Sequence, residues 1–288
     1  MWIQGEMFKS IADFCYSPHL KHRDDYDNLQ NTFDISVLKP VNIVYTHLCY
    51  AQNLINIITN LPDYKFILIT HSCDCSVVAE GISRPGGNGE RQSLYKFEIP
   101  TNVVKWYSKN IDVTDSRIES IPIGLENNRW FPHIHKMDKL RAKITTPKQY
   151  KNLLYINHNV VTNPIERVSP YVLFRSKGWV TIDKGANGKD FDVYLDNIYN
   201  HKFVLSPQGN GIDTHRTWEC LYLGTIPIEK RNLNNRFYTG LPICFVDSWE
   251  EITEEFLNKE YDRIKNTQWD LRMLDFDYWK NKIYGTLF

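Results

Sequence analysis

The sequence predicts an α/β protein of two Rossmann-like domains facing across a cleft. Three observations lead there. Short apolar runs alternate with helical patterns in two separate series, as in parallel sheets with right-handed crossovers. A basic, polar stretch from Phe131-Pro132 to Pro147 parts the two series. In the second series a glycine-containing loop joins a buried strand to a helix, which is where open α/β sheets bind ligands.

The elements follow in order. Residues 1–35 are polar and irregular, and Lys21-His22-Arg23-Asp24-Asp25-Tyr26-Asp27 reads as a solvated charge run. Val41 to Thr46 reads as a strand and Ala51 to Leu61 as an amphipathic helix. Lys65 to His71 is almost continuously apolar, as a strand buried on both faces is. Ser83 to Gln92 is rich in Gly, Arg and Asn and reads as a loop. Val103 to Tyr107 opens another strand-to-helix unit, and Ile118 to Ile123 closes the first series as a strand. The second series opens with the strand Asn152 to Asn157. A helix follows from Pro164 to Ser176, interrupted at Pro170, then a strand over Trp179 to Ile182 and a helix over Asp190 to Tyr199. After the glycine loop and its two strands, Leu241 to Val246 forms the last strand, and helical, acidic patterns begin at Trp249. The expected division is a domain over 1–135, a linker over 136–150, a second domain over 151–270, and a C-terminal helix over 271–288 free to pack back on the first domain.

Composition bounds the function. The chain has 288 residues, with 34 Lys+Arg against 34 Asp+Glu, so bulk electrostatic attraction to nucleic acid or membrane is not expected. No run approaches the roughly 18 apolar residues that span a bilayer. Met1 to Glu6 lacks the basic start and apolar core of a targeting segment. These features predict a soluble, cytoplasmic protein of undetermined oligomeric state. Cys15, Cys49, Cys73, Cys75, Cys220 and Cys244 fit a reducing compartment, and the tight Cys73-Asp74-Cys75 spacing is no zinc signature.

The most informative stretch runs from Phe203 to Ile228: strand, glycine loop, helix, Gly224 and a second buried strand. Glycines admit close approach of a ligand, and a helix N-terminus offers free N–H groups to an anion. Arg216 falls in the first helical turn, where a cation opposes the helix dipole unless an anion binds there. Glu219 shares its face. It is placed to accept from ribose hydroxyls, or else to form an ion pair with Arg216 on a solvated face. Trp218, Leu221 and Tyr222 point elsewhere, toward a sheet.

This stretch resembles the donor-binding segment of exostosin-like glycosyltransferases, S-P-x-G-x-G-x-D-x-x-R-x-x-E-x-x-x-x-G-x-I-P. Every fixed position is present from Ser206 to Pro227. Ile121-Pro122-Ile123-Gly124 is similar to a second stretch of that family. The resemblance is carried by residues 100 to 250. It implies the GT-B architecture, with an N-terminal acceptor domain and a C-terminal nucleotide-sugar domain. Members of that family are typically membrane-anchored, and the lack of a long apolar run departs from this, so the chain looks like a compact, soluble relative. The implied activity is inverting transfer from a nucleotide-diphosphate sugar, UDP first and GDP second, to a hydroxyl of an oligosaccharide or glycan. The rival is a non-catalytic carbohydrate- or nucleotide-binding protein of the same fold.

On this reading Ser206, Gly209, Asn210, Gly211, Asp213, Thr214, Arg216, Thr217 and Glu219 bind the donor. Arg167, matching a basic residue of the family, takes up leaving-group charge. No cofactor or metal is expected. The Asp-x-Asp triplets lack a suitable setting: Asp25/Asp27 lies in the charge run with no buried strand leading into it, and Asp190/Asp192 and Asp275/Asp277 lie in helical patterns, where i and i+2 carboxylates do not face each other. The general base is sought after the most apolar strand, in the order Asp74, His71, then His47 after the preceding strand.

Overall fold

The computed structural model describes residues 1–18, 30–77, 97–127, 135–183 and 191–287, with backbone alone at 78, 84–85, 91–92 and 94–95. The charge run, most of the glycine-rich loop, residues 128–134 and Asp190 lie outside the described residues.

Two lobes are each built on a five-stranded parallel sheet flanked by helices. The first sheet contains β1 (Phe14–Tyr16), β2 (Val41–Thr46), β3 (Lys65–Thr70), β4 (Val103–Ser108) and β5 (Ile118–Ser120), in that spatial order. Its central strand β3 has Phe66, Ile67, Leu68 and Ile69 fully buried. Their side chains alternate. Phe66 and Leu68 pack with helix α2 (Ala51–Ile58), whose Ala51, Leu54, Ile55 and Ile58 form one apolar stripe. Ile67 and Ile69 face the other way.

The second sheet contains β6 (Asn152–Ile156), β7 (Val180–Ile182), β8 (His201–Leu205), β9 (Ile226–Lys230) and β10 (Cys244–Val246). Its spatial order is β7-β6-β8-β9-β10, so strand order reverses between β6 and β8. Helices α4 (Pro164–Phe174) and α5 (Phe191–Tyr199) lie between its strands in sequence. Asn163 starts α4 as an N-cap accepting from the Glu166 N–H, with Pro164 in the first turn. The helix runs unbroken through Pro170, where the sequence suggested an interruption. Helix α6 (His215–Tyr222) follows the glycine loop, and α7 (Glu254–Lys265) follows β10.

One apolar cluster is shared by the two sheets. Tyr45, Ile67, Ile69 and Tyr107 of the first meet Tyr155, Val204, Trp218 and Tyr238 of the second lobe in it. Helix α8 (Phe276–Tyr284) adds Phe276, Trp279 and Ile283. The C-terminal segment binds first-lobe partners: the Phe276 N–H donates to Met1 O at 2.8 Å, Tyr107 Oη meets Thr286 Oγ1 at 2.8 Å, and Lys282 pairs with Glu119.

Further local readings change: no helix follows Val103–Ser108 before Ile118, where the sequence suggested a strand-to-helix unit. The N-terminal region, read as irregular, supplies a short helix α1 (Gly5–Lys9) and the edge strand β1. The basic stretch carries helix α3 (Lys136–Ile144), whose buried Leu140 is its main apolar anchor. One anchor in nine residues leaves too little periodicity to register in a sequence. Lys139 and Lys143 hold the helix to Asp192 and Asp196 of α5 at 2.7 and 2.6 Å.

Candidate functional site

The reversal between β6 and β8 creates a crevice at the carboxyl ends of these strands, where open sheets place ligands. Two loops form it: residues 157–163 after β6 and 206–214 after β8. A cavity of about 490 Å³ opens there, lined from the second lobe by Arg167, Gly209, Asn210, Gly211, Asp213 and Thr214. From the first lobe come His71, Ser72, Cys73, Asp74 and Lys109. Eight residues singled out in the sequence therefore line the same cavity: His71, Asp74, Arg167, Gly209, Asn210, Gly211, Asp213 and Thr214. Ser206, Arg216, Thr217 and Glu219 lie outside this lining set, as does His47.

Arg167 sits in the first turns of α4 and crosses the crevice. Its Nε donates to Gln208 O at 2.8 Å and Nη1 to Asn159 O at 3.0 Å, tying both loops together. A side chain at Gly209 would put its Cβ 2.8 Å from Arg167 Nη2, so this glycine makes room for the guanidinium. Arg216 donates through Nη2 to Asn157 O, and its buried Nε has no hydrogen-bond partner. Neither arginine has a carboxylate within ion-pair distance among the described residues. Burial and the Arg216 charge lower the Arg167 pKa to about 10. Between them His158, buried and beside both guanidiniums, is lowered to about 3, so its ring is neutral. One buried cation thus lines the crevice and a second, half-buried, stands behind it, neither neutralised by a carboxylate among the described residues, an arrangement that favours an anion.

Glu219 is 4% exposed and accepts from Tyr194 Oη at 2.6 Å. It forms no ion pair with Arg216, and the solvated-face alternative does not describe it. Ser206, Thr214 and Thr217 are linked through their hydroxyls, at 2.9 Å for Ser206–Thr214 and 2.8 Å for Ser206–Thr217. Thr214 is the N-cap of α6, yet its side chain makes no capping bond.

Asp213 joins the two lobes. It accepts from the Ile123 N–H at 2.8 Å and from Trp218 Nε1 at 2.9 Å, and its own N–H donates to Asn110 Oδ1 at 2.9 Å. Burial raises its pKa to about 6. Gly211 lets Asn110 approach, since a Cβ there would lie 2.6 Å from Asn110 Nδ2. The Ile121-Pro122-Ile123-Gly124 stretch therefore meets the glycine loop in space. His215 strengthens the seam, with Nδ1 2.8 Å from Gly124 O and Nε2 3.5 Å from Glu126.

On the first-lobe wall Ser72 has φ of 68°, a left-handed conformation costly for a side chain and common where geometry serves a site. Its N–H donates to His71 Nδ1 at 2.7 Å, which leaves the His71 proton on Nε2, 3.1 Å from Pro122 O. Burial and Lys109 push His71 far below its ordinary pKa. Both ring nitrogens are committed, so His71 braces the wall. Asp74 is the exposed carboxylate here, its side chain 55% exposed and 3.8 Å from the buried Lys109 ammonium. Sequence reading missed Lys109, Glu126 and His215. Lys109 and Glu126 stand in strand-end or loop segments that only long-range contacts bring to the cavity, while His215 is a variable position of the glycine-loop pattern and the first residue of α6.

Among the described residues no group of three or more His, Cys, Asp or Glu is placed to hold a metal ion, and no helix is long and apolar enough to cross a membrane. The fold and site define an α/β protein of two parallel-sheet lobes, consistent with a Rossmann-type, GT-B-like architecture and compatible with nucleotide-sugar use. No protein-family model and no curated protein sequence matches the chain.

Proposed function

We propose that the chain is an inverting glycosyltransferase of the GT-B kind, with a nucleotide-diphosphate sugar as donor, UDP first, and a glycan hydroxyl as acceptor. The observation that carries this reading is the pair Arg167, buried, and Arg216, half-buried with its Nε enclosed, neither of which has a carboxylate partner among the described residues at the switch point of the second sheet. A diphosphate supplies the missing charge, since guanidinium and phosphate pair strongly. The second lobe, 151–270, serves as donor domain and the first, 1–135, as acceptor domain.

The diphosphate lies along Gly209 to Thr214, against Arg167 and the N-terminus of α6. Arg216 adds charge from behind, and Glu219 is its neighbour toward the ribose. The acceptor hydroxyl attacks the anomeric carbon in line. Its proton passes to the Asp74 carboxylate while the bond to the diphosphate breaks, and the leaving charge falls on Arg167. The single displacement inverts the anomeric centre. Lys109 holds Asp74 toward the cavity.

Removing Arg167 is expected to weaken UDP binding by roughly 10–100-fold, the worth of a charge-assisted hydrogen bond. Isothermal titration of Arg167→Ala and Arg216→Ala with UDP and GDP measures this. Wild-type affinity for both nucleotides in both variants would remove the donor assignment. Binding without turnover on any acceptor would favour the non-catalytic reading.

Transfer is also expected to persist in excess EDTA, because guanidiniums and a helix N-terminus handle the charge. Complete loss on chelation, restored by manganese, would overturn the metal-free mechanism.

A further inference from the structure

A chain of hydroxyls leads from the cavity wall into the interior of the second lobe. Thr214 Oγ1, at the cavity, is 2.9 Å from Ser206 Oγ, which is 2.8 Å from Thr217 Oγ1. Thr217 in turn hydrogen-bonds Glu229 Oε1 on β9. The other carboxyl oxygen accepts from Asn235 Nδ2 at 3.0 Å. Asn235 cannot reverse: its Nδ2 also donates to Lys230 O at 2.8 Å, and its Oδ1 accepts from the Asn232 N–H at 2.9 Å. Any proton on Glu229 therefore sits on Oε1, facing Thr217.

Each hydroxyl carries a single proton, so the chain has two directions. When Glu229 is a carboxylate, Thr217 donates to it, Ser206 to Thr217 and Thr214 to Ser206. Thr214 then shows only lone pairs to the cavity. When Glu229 is a carboxylic acid it donates to Thr217, every bond reverses, and the Thr214 O–H is free to donate into the cavity. The geometry points to Glu229 as a positioning residue that makes anion binding proton-linked, because only with Glu229 protonated can Thr214 donate to a phosphate oxygen while every bond of the chain is kept. The inference rests on the reading that phosphate groups lie against Thr214.

The surroundings suit such a switch. Burial, with the Asp213 charge adding to it, raises the Glu229 pKa to about 7. The titratable groups facing it are Asp213 in the glycine loop, Cys220 on α6 and Tyr238 after β9; burial keeps the Cys220 thiol and the Tyr238 phenol protonated. The neighbouring Lys230 pairs with Glu166 at 2.7 Å. From β10 the strand partner is apolar Phe245. An anion at Thr214 stabilises the protonated direction, so binding must draw in a proton.

The test is isothermal titration with UDP at pH 8 in two buffers of different ionisation enthalpy, repeated from pH 6 to 8. Wild type is expected to take up a fraction of a proton and to lose affinity as pH rises, by at most about tenfold per unit. Glu229→Gln keeps a permanent donor toward Thr217. It is expected to lose that uptake and the pH slope, and to bind UDP more tightly than wild type at pH 8. Should this variant fail to fold, Thr214→Val cuts the chain at the cavity end, and it is likewise expected to lose the slope. Unchanged proton uptake and slope in the folded variants would overturn the switch alone. Absence of UDP binding to wild type at every pH would overturn the phosphate reading, and the switch with it.

Discussion

Asp74→Asn is expected to lower turnover by roughly 10²–10⁴-fold, the usual contribution of a general base, while UDP affinity stays near wild type. The asymmetry follows from position. Asp74 belongs to the first lobe, with its side chain 55% exposed at the cavity and Lys109 3.8 Å away. The phosphate groups are assigned to the opposite wall. Asparagine keeps the shape and cannot accept the proton. His71 is a poor rival because a backbone N–H occupies Nδ1 and Nε2 donates to Pro122 O. His71→Gln should therefore act mainly through stability and the shape of the wall. Glu126→Gln is the informative companion, since Glu126 is a second cavity carboxylate, beside His215 at 3.5 Å. If Asp74→Asn retains turnover while Glu126→Gln is dead, the base is Glu126. A product with the donor's anomeric configuration would end the single-displacement mechanism altogether.

Asp213→Ala is expected to cause the largest loss of stability of any cavity substitution. It strands two buried donors, the Ile123 N–H and Trp218 Nε1, and an unsatisfied buried group costs roughly 1–3 kcal/mol. The bond to Ile123 also joins the lobes, so the cost falls where the cavity walls meet. Thermal unfolding measures it. A Tm within about half a degree of wild type, roughly what a few tenths of a kcal/mol gives in a chain of this size, would show that Asp213 is not a structural tie.

The pH dependence of stability has a definite sign. Burial raises Asp213 from 3.8 to about 6 and Glu229 from 4.5 to about 7. Between these limits the unfolded chain releases protons that the folded chain retains. These groups therefore contribute full stability below about pH 4, and that contribution is lost as pH rises through about 6 and about 7. A shift of two units is worth about 3 kcal/mol at most. Glu229→Gln is expected to flatten the upper part of this profile.

Much of this architecture was legible in the chain because its signals are local. The run Phe66 to Ile69 is apolar at every position, and only a strand covered on both faces needs that. Ala51, Leu54, Ile55 and Ile58 recur at helical spacing and bury together. Helix α3 and strand β1 were not legible. A single buried Leu140, or three residues at a sheet edge, leaves too short a pattern.

The glycine loop divides most instructively. The sequence by itself determined that Gly209 and Gly211 stand between a buried strand and a helix and that Arg216 opens the helix, the setting in which a helix N-terminus can take an anion. It also determined the parallel-sheet class of both lobes, since alternating strand and helix patterns permit few topologies. Only the tertiary structure decided what each glycine makes room for: Arg167 at Gly209 and Asn110 at Gly211. It also decided that Glu219 is buried against Tyr194 rather than solvated, and that Lys109 and Asp74 come to the same cavity as Arg167. These facts depend on contacts between residues 25 to 103 positions apart in the chain, from Tyr194–Glu219 to Asn110–Asp213. Periodicity reports which face of an element is apolar. Which partner meets that face is settled by chain topology and packing.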